Sequence, residues 1–114
     1  MRTIAAVLLL AVFGCRHAPP PVEAEHVLTG VTSAPYTGAV RIVMNGSPPG
    51  AAYDEVAVVS TRGTNGNATL AAVLGALQAE AARLGCDAVI QVRYEPGGQV
   101  SSATGVAVRT RPAR

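Results

Sequence analysis

The chain has 114 residues with 9 basic and 7 acidic side chains, a formal net charge of +2. Nucleic-acid backbones bind clustered positive charge, so this near-neutral balance without a basic run argues against nucleic acid as a partner. Aromatic residues make up only 4% of the chain, which predicts one small domain with a core of Val, Ile, Leu and Ala.

The N-terminal segment carries the clearest signal. A basic start at Arg2 is followed by an apolar run over 4–13 and then by Gly14-Cys15. This layout is typical of a secretory signal peptide, and the apolar run is short for a membrane-spanning helix. The small residue before the cysteine resembles a bacterial lipoprotein signal, which implies that residues 1–14 are removed and that Cys15 receives lipid. The alternative is an ordinary signal peptide in which Cys15 is incidental.

Lipidation of Cys15 would anchor the mature chain to a membrane of the bacterial cell envelope without a transmembrane helix. Residue 16 is Arg rather than Asp, which by similarity to the enterobacterial sorting rule favours the outer membrane, facing the periplasm. Residues 15–38 include three consecutive prolines and predict an extended tether. A short strand over 27–32 is an option within it.

Regular structure is predicted over 39–110, with a tail at 111–114. Apolar alternation at 39–44 predicts a first strand, ended by the turn-rich segment 45–50. A β-branched run at 56–60 predicts a second strand that is central or covered on both faces. The polar segment 62–67 is typical of a loop, and alternation at 88–94 and 102–110 predicts a final hairpin.

A helix is predicted between these strand pairs. Its stripe has three- and four-residue steps and comprises Leu70, Val73, Leu74, Leu77, Ala81 and Leu84. Asn67 or Thr69 can cap its start, and Gly85 suits its C-terminal end. Gly75 inside the helix suggests close contact with a strand. Gln78, Glu80 and Arg83 lie off the stripe.

The fold predicted from this order is an α+β domain: a small mixed sheet (ββαββ) with one helix on one face. A right-handed crossover should join two parallel strands through the helix. Strict alternation puts one set on the helix-covered side, namely Ala88, Ile90, Val92, Tyr94, Val106 and Val108. It puts Ala107, Arg109, Val89, Gln91 and Arg93 on the other side. Leu74, Leu77 and Leu84 should then pack on Val58, Ile90 and Val106.

The segment 53–109 also resembles known domains. It holds Tyr53-Asp54-Glu55-Val56, then Ala81-Ala82-Arg83-Leu84-Gly85-Cys86-Asp87-Ala88-Val89, and a strand rich in Gly and Ala. This pattern is similar to the heavy-metal-binding-domain family and to the envelope-stress-sensor lipoproteins of the Rcs phosphorelay. The resemblance implies a βαββ domain with sensing or structural roles. Cys86 replaces an alanine of the pattern, and the paired cysteines of the stress sensors are missing.

The residues offer little for chemistry. The two histidines, His17 and His26, fall in the tether and match no metal motif with Cys86, whose simplest role is a small buried residue. The acidic residues suit solvated carboxylates better than general acid–base catalysis. The sequence therefore predicts no enzyme, no metal site and no cofactor.

Two function classes remain. The first is a tethered envelope lipoprotein that interacts with a protein, senses or self-assembles. The second is an oligomeric domain that binds a small ligand or a metal. For the first class the expected partner surface is the sheet face away from the helix, through Arg41, Gln91 and Arg93, because arginine beside modest apolar area is common at interfaces. A half-polar, solvated face is the alternative.

Overall fold

The structure is a computed structural model that describes residues 22–44 and 52–111. Its strands are β1 (Val22–Leu28), β2 (Arg41–Met44), β3 (Tyr53–Thr64), β4 (Ala88–Glu95) and β5 (Val100–Thr110). A helix, α1 (Leu70–Arg83), follows β3 after a single 3-10 turn at Asn65–Asn67. The fold is α+β as predicted, with one mixed five-stranded sheet and one helix packed against it. The predicted signal peptide, the turn at 45–50 and most of the tail lie outside the described residues.

The sheet has the strand order β1-β3-β5-β4-β2. β4 pairs with β2 in parallel, and the other three neighbouring pairs are antiparallel. The final hairpin is therefore confirmed. β3 and β4, which flank the helix in the chain, run in the same direction because each is antiparallel to β5. They are not neighbours, since β5 lies between them.

The domain begins earlier than the sequence predicted. Residues 22–28, placed in the tether, form β1 and pair along β3 from Val22 opposite Gly63 to Leu28 opposite Ala57. The following segment is also held to the domain, because Tyr36 N–H donates to Ala82 O at 2.8 Å. β1 is an edge strand with mostly exposed side chains. Its weak apolar alternation therefore looks like that of a solvated linker.

The helix ends follow their sequence signals. The Thr69 hydroxyl accepts a hydrogen bond from Ala72 N–H at 3.2 Å, and Gly85 takes a left-handed φ of +87° after the last turn. Two expectations inside the helix are wrong. Gly75 is exposed with open space where a Cβ would stand, so it marks no close contact. Glu80 is only 7% exposed, although it lies off the apolar stripe.

The predicted packing partners of the helix are also wrong. Val73, Leu77 and Ala81 are fully buried in one cluster together with strand residues Val59, Val89, Val92, Ala103 and Ala107. Val58 is instead 44% exposed, and Ile90 and Val106 belong to a separate cluster. Ala107 therefore lies on the helix side, where outward orientation was expected, and Val108 lies on the other side.

β5 has no extra residue and alternates throughout, with the reverse of the predicted facing, whereas β4 and β3 each contain a β-bulge that changes the facing within the strand. In β4 the register moves from Ile90 opposite Val106 to Arg93 opposite Thr104, so Gln91 and Val92 together oppose Gly105. Gln91 has a φ of +53°, the left-handed conformation of a bulge residue. The extra residue resets the alternation. Val89 and Val92 consequently face the helix from either side of the bulge.

The second bulge is in β3, between Glu55 and Ala57 opposite Val108 and Ala107. Val56 and Ala57 are both fully buried in the helix-side cluster, which a strict two-residue period does not allow. β4 thus fits the predicted alternation only after its bulge, where Val92 and Tyr94 lie on the helix side. Before the bulge, Ala88 and Ile90 lie on the side of the sheet away from the helix, opposite to the sequence prediction.

Candidate interaction surface

The side of the sheet opposite α1, which we call the open face, carries three rows of side chains that cross neighbouring strands. The valine row is apolar and consists of Val27, Val58, Val106 and Ile90. The Thr104 row consists of Glu25, Ser60, Thr104 and Arg93. The Ser102 row consists of Glu23, Arg62, Ser102 and Glu95. Residues directly opposite each other in adjacent strands share a face, so the register alone defines these rows.

The open face is not uniformly exposed. Ala88, Ile90 and Val108 are buried in a small cluster against which Val43, Tyr53 and Val106 pack. On β1 and β3, by contrast, Val27 is 68% and Val58 is 44% exposed. The Thr104 row ends in an exposed Arg93 and includes an exposed Thr104 on the central strand. The exposed part of the face is therefore the β1–β3 side together with the two polar rows.

The charges of the polar rows are not used within the domain. The salt bridges among the described residues join His26 to Glu80, Arg83 to Glu80 and Arg111 to Asp54. None of them includes the five charged residues of the polar rows, which are Glu23, Glu25, Arg62, Arg93 and Glu95. Each of these five is exposed. They surround Ser60, Ser102 and Thr104 and leave their charges available to a partner.

The residues predicted for a partner surface are only partly brought together. Arg93 lies on the open face, in the Thr104 row. Arg41 lies on the same face at the far edge, beside Ala88. Gln91 is the left-handed bulge residue and is exposed, but it stands outside the rows. Val89, expected beside them, is fully buried on the helix side.

Sequence reasoning missed Glu25, Arg62 and Glu95. Glu25 was placed in the tether, Arg62 in a loop and Glu95 in a turn, whereas all three are strand residues. One signal was available: Glu23 and Glu25 alternate with Val22, Ala24 and His26. His26 reaches the helix, so this alternation is that of an edge strand with one polar face.

His26 links β1 to the helix. Its Nδ1 lies 2.6 Å from Glu80 Oε2, and Arg83 Nη2 donates to Glu80 Oε1 at 2.8 Å. The buried carboxylate of Glu80 thus has a partner on each oxygen. Burial of a charged group is tolerated when it is paired and hydrogen-bonded. The arrangement fixes the position of the edge strand and accounts for the burial of Glu80.

Asp87 holds the turn between α1 and β4 to the end of β5. Thr110 N–H donates to Asp87 Oδ1 at 2.9 Å, and the Thr110 hydroxyl donates to Oδ2. Burial by itself raises the pKa of the Asp87 carboxyl, but the hydrogen bonds from Thr110 and the charge of Arg41 lower it by more, so the pKa lies below its ordinary value. The Asp87–Thr110 contact is therefore strongest with Asp87 ionised.

The thiol of Cys86 is a core group. It is fully buried in the helix-side cluster, and burial raises its pKa to about 11, although the charge of Arg109 opposes that shift. A nucleophile or metal ligand needs the thiolate, which is scarce here at neutral pH. The structure agrees with the structural role predicted for this residue.

Over residues 22–44 and 52–111 no three His, Cys, Asp or Glu side chains stand close enough together to hold a metal ion. Within the same ranges no helix has the length and apolar character needed to cross a membrane. Cys15 lies outside them, and its lipidation stays a prediction.

Comparisons with protein-family models, with curated proteins and with solved structures find no match to this chain. The similarity to the heavy-metal-binding-domain family and to the Rcs stress sensors therefore stays a prediction.

Proposed function

We propose that the chain is a non-enzymatic lipoprotein of the bacterial cell envelope whose domain docks a protein through the exposed part of its open face. The observation that carries docking is the combination on that face of exposed valines with five charged side chains that pair with no described residue. Apolar surface rimmed by charge is typical of interaction sites. The membrane attachment rests on the N-terminal pattern that ends at Gly14-Cys15.

The docking proposal is tested by site-specific photocrosslinking in intact membranes. A small diazirine side chain replaces Thr104, which is exposed on the central strand of the open face. The matched control carries the same group in place of Ala79, which is exposed on α1 at the other side of the domain. A defined protein product from position 104 and none from position 79 is expected. Equal yields at both positions, or none at position 104, would contradict docking.

The lipid anchor is tested separately by Cys15→Ala. The wild-type chain should partition into the detergent phase of a cloud-point separation, and the variant should stay unprocessed or move to the aqueous phase. A variant that partitions and migrates as the wild type does would rule out lipidation at Cys15. Cys86→Ala serves as the control, because the buried Cys86 thiol has no part in the anchor.

A further inference from the structure

The charges of the open face are arranged so that the face complements itself. The exposed carboxylates Glu23 and Glu25 lie on the edge strand β1, and Arg93 lies on β4, beyond the central strand β5. Glu25 and Arg93 end the same row on opposite sides of Thr104. A second copy turned by a half rotation about an axis parallel to β5 would exchange the two sides of that row.

The half rotation brings unlike charges together in both polar rows. It exchanges β3 with β4 and β1 with β2, because β5 is the middle strand. Arg62 on β3 then stands over Glu95 on β4 of the second copy, since both belong to the Ser102 row. Glu25 stands one strand spacing, about 4.8 Å, to the side of Arg93 of the second copy. Glu23 stands at the same spacing from Glu95 of that copy, so the direct Arg62–Glu95 pair accounts for most of the charge complementarity. Each contact occurs twice, as a two-fold interface requires.

The alternative two-fold axis, across the strands and centred on the same rows, is less favourable. It sets each strand over itself in the second copy, so that Glu23 faces Glu25 and Arg93 faces Glu95. One like and one unlike pair then offset each other, whereas the first arrangement keeps Arg62 directly over Glu95. The valines do not distinguish the two arrangements, because Ile90, which would lie opposite Val58 in the first one, is only 2% exposed.

We infer that the partner on the open face is a second copy of this chain, related by a two-fold axis parallel to β5 with Glu25–Arg93 and Arg62–Glu95 as its intermolecular charge pairs. The inference rests on the proposed docking function and names its partner. The three rows cross four strands and project to roughly 15 Å by 20 Å, on the order of 300 Å². Standard interfaces bury about 800 Å² per partner, so this dimer is weak in dilute solution and is best sought in the membrane.

The test measures the Thr104 crosslink of the full chain in membranes against charge reversals. A product of two copies is expected. Glu25→Arg and Arg93→Glu should each lower its yield at least about fivefold, because each puts like charges together. The double variant should restore the yield, because it recreates both pairs with the charges exchanged. Arg62→Glu, Glu95→Arg and their combination repeat the cycle at the second pair.

Ala79→Glu on the helix is the charge control and should leave the yield unchanged. Thermal unfolding of every variant should match the wild type, because these side chains make no ion pair within the described residues. A crosslink to a different protein would overturn the second copy while leaving docking in place. A dimer product insensitive to charge reversal, or not restored in the double variant, would overturn the two-fold arrangement. No product at position 104 would overturn docking and the dimer together.

Discussion

Asp87 shows how one side chain holds two ends of the domain together. Its carboxylate accepts from both the backbone N–H and the hydroxyl of Thr110, at the last residue of β5. We expect Asp87→Ala to lower the free energy of unfolding by about 1–3 kcal/mol at pH 7, since it leaves two donors without their acceptor. Urea unfolding measures this loss. Thr110→Val, which removes only the hydroxyl, should cost less.

The same contact gives a pH dependence with a defined sign. The pKa of Asp87 is lower in the folded chain than its ordinary value, so folding favours the ionised form. Its contribution is complete above the unfolded pKa of about 4 and is lost as the pH falls through the folded pKa. The gap between wild type and Asp87→Ala should therefore narrow below about pH 4. A constant gap down to acid pH would show that ionisation is irrelevant to the contact.

At the scale of elements, two glycines should respond oppositely to alanine. Gly75 lies exposed inside α1 with open space at its Cβ position, so Gly75→Ala should stabilise by about 0.5–1 kcal/mol. A Cβ on Gly105 would stand 2.5 Å from Val89 Cγ1, opposite the β4 bulge. Gly105→Ala should therefore destabilise, by about 1–3 kcal/mol. Urea midpoints of the pair measure both effects, and a Gly105→Ala variant at least as stable as the wild type would refute the packing around the bulge.

The elements and the fold class could be predicted because their signals are local. Thr69, Gly85 and the stripe through Val73 and Leu77 define the helix from neighbouring residues. The facing of the strands could not be predicted, because a bulge is set by pairing with a strand that is distant in the chain. Gln91 and Val92 share Gly105 as their partner, and nothing in the local alternation marks the extra residue.

The candidate surface was predictable to a smaller degree. Arg93 lies on the face where the sequence placed it. Ile90 before the bulge lies on the open face, and the extra residue of the bulge puts Arg93 on that same face. Glu25 and Arg62 depend on β1, whose strand character comes from pairing with β3 rather than from its own composition. A surface that includes an edge strand can be predicted only when the pairing of that strand with its neighbour is known.

At the scale of the whole molecule, β1 makes residues 22–28 part of the folded unit. His26 is its main link to the helix, through the buried Glu80. His26→Ala should lower the free energy of unfolding by about 1–3 kcal/mol, because one oxygen of a buried carboxylate loses its partner. Glu80→Gln combined with His26→Ala should cost less than the sum of the single changes. Unfolding of His26→Ala identical to that of the wild type would show that the His26–Glu80 contact contributes nothing to stability.

The place where β1 begins has a consequence for how two copies would meet. Val22 stands at the end of the sheet opposite Gly63, and the stretch from Cys15 to Val22 can extend at most about 25 Å. A rotation axis parallel to the strands leaves both Val22 residues at the same end of a pair, so both proposed anchors would reach one bilayer. Confinement to that surface raises the local concentration of each copy for the other, as a linker does between tethered modules. A contact too small to persist in solution would then hold on the membrane, and release of the lipid anchor would separate the two copies.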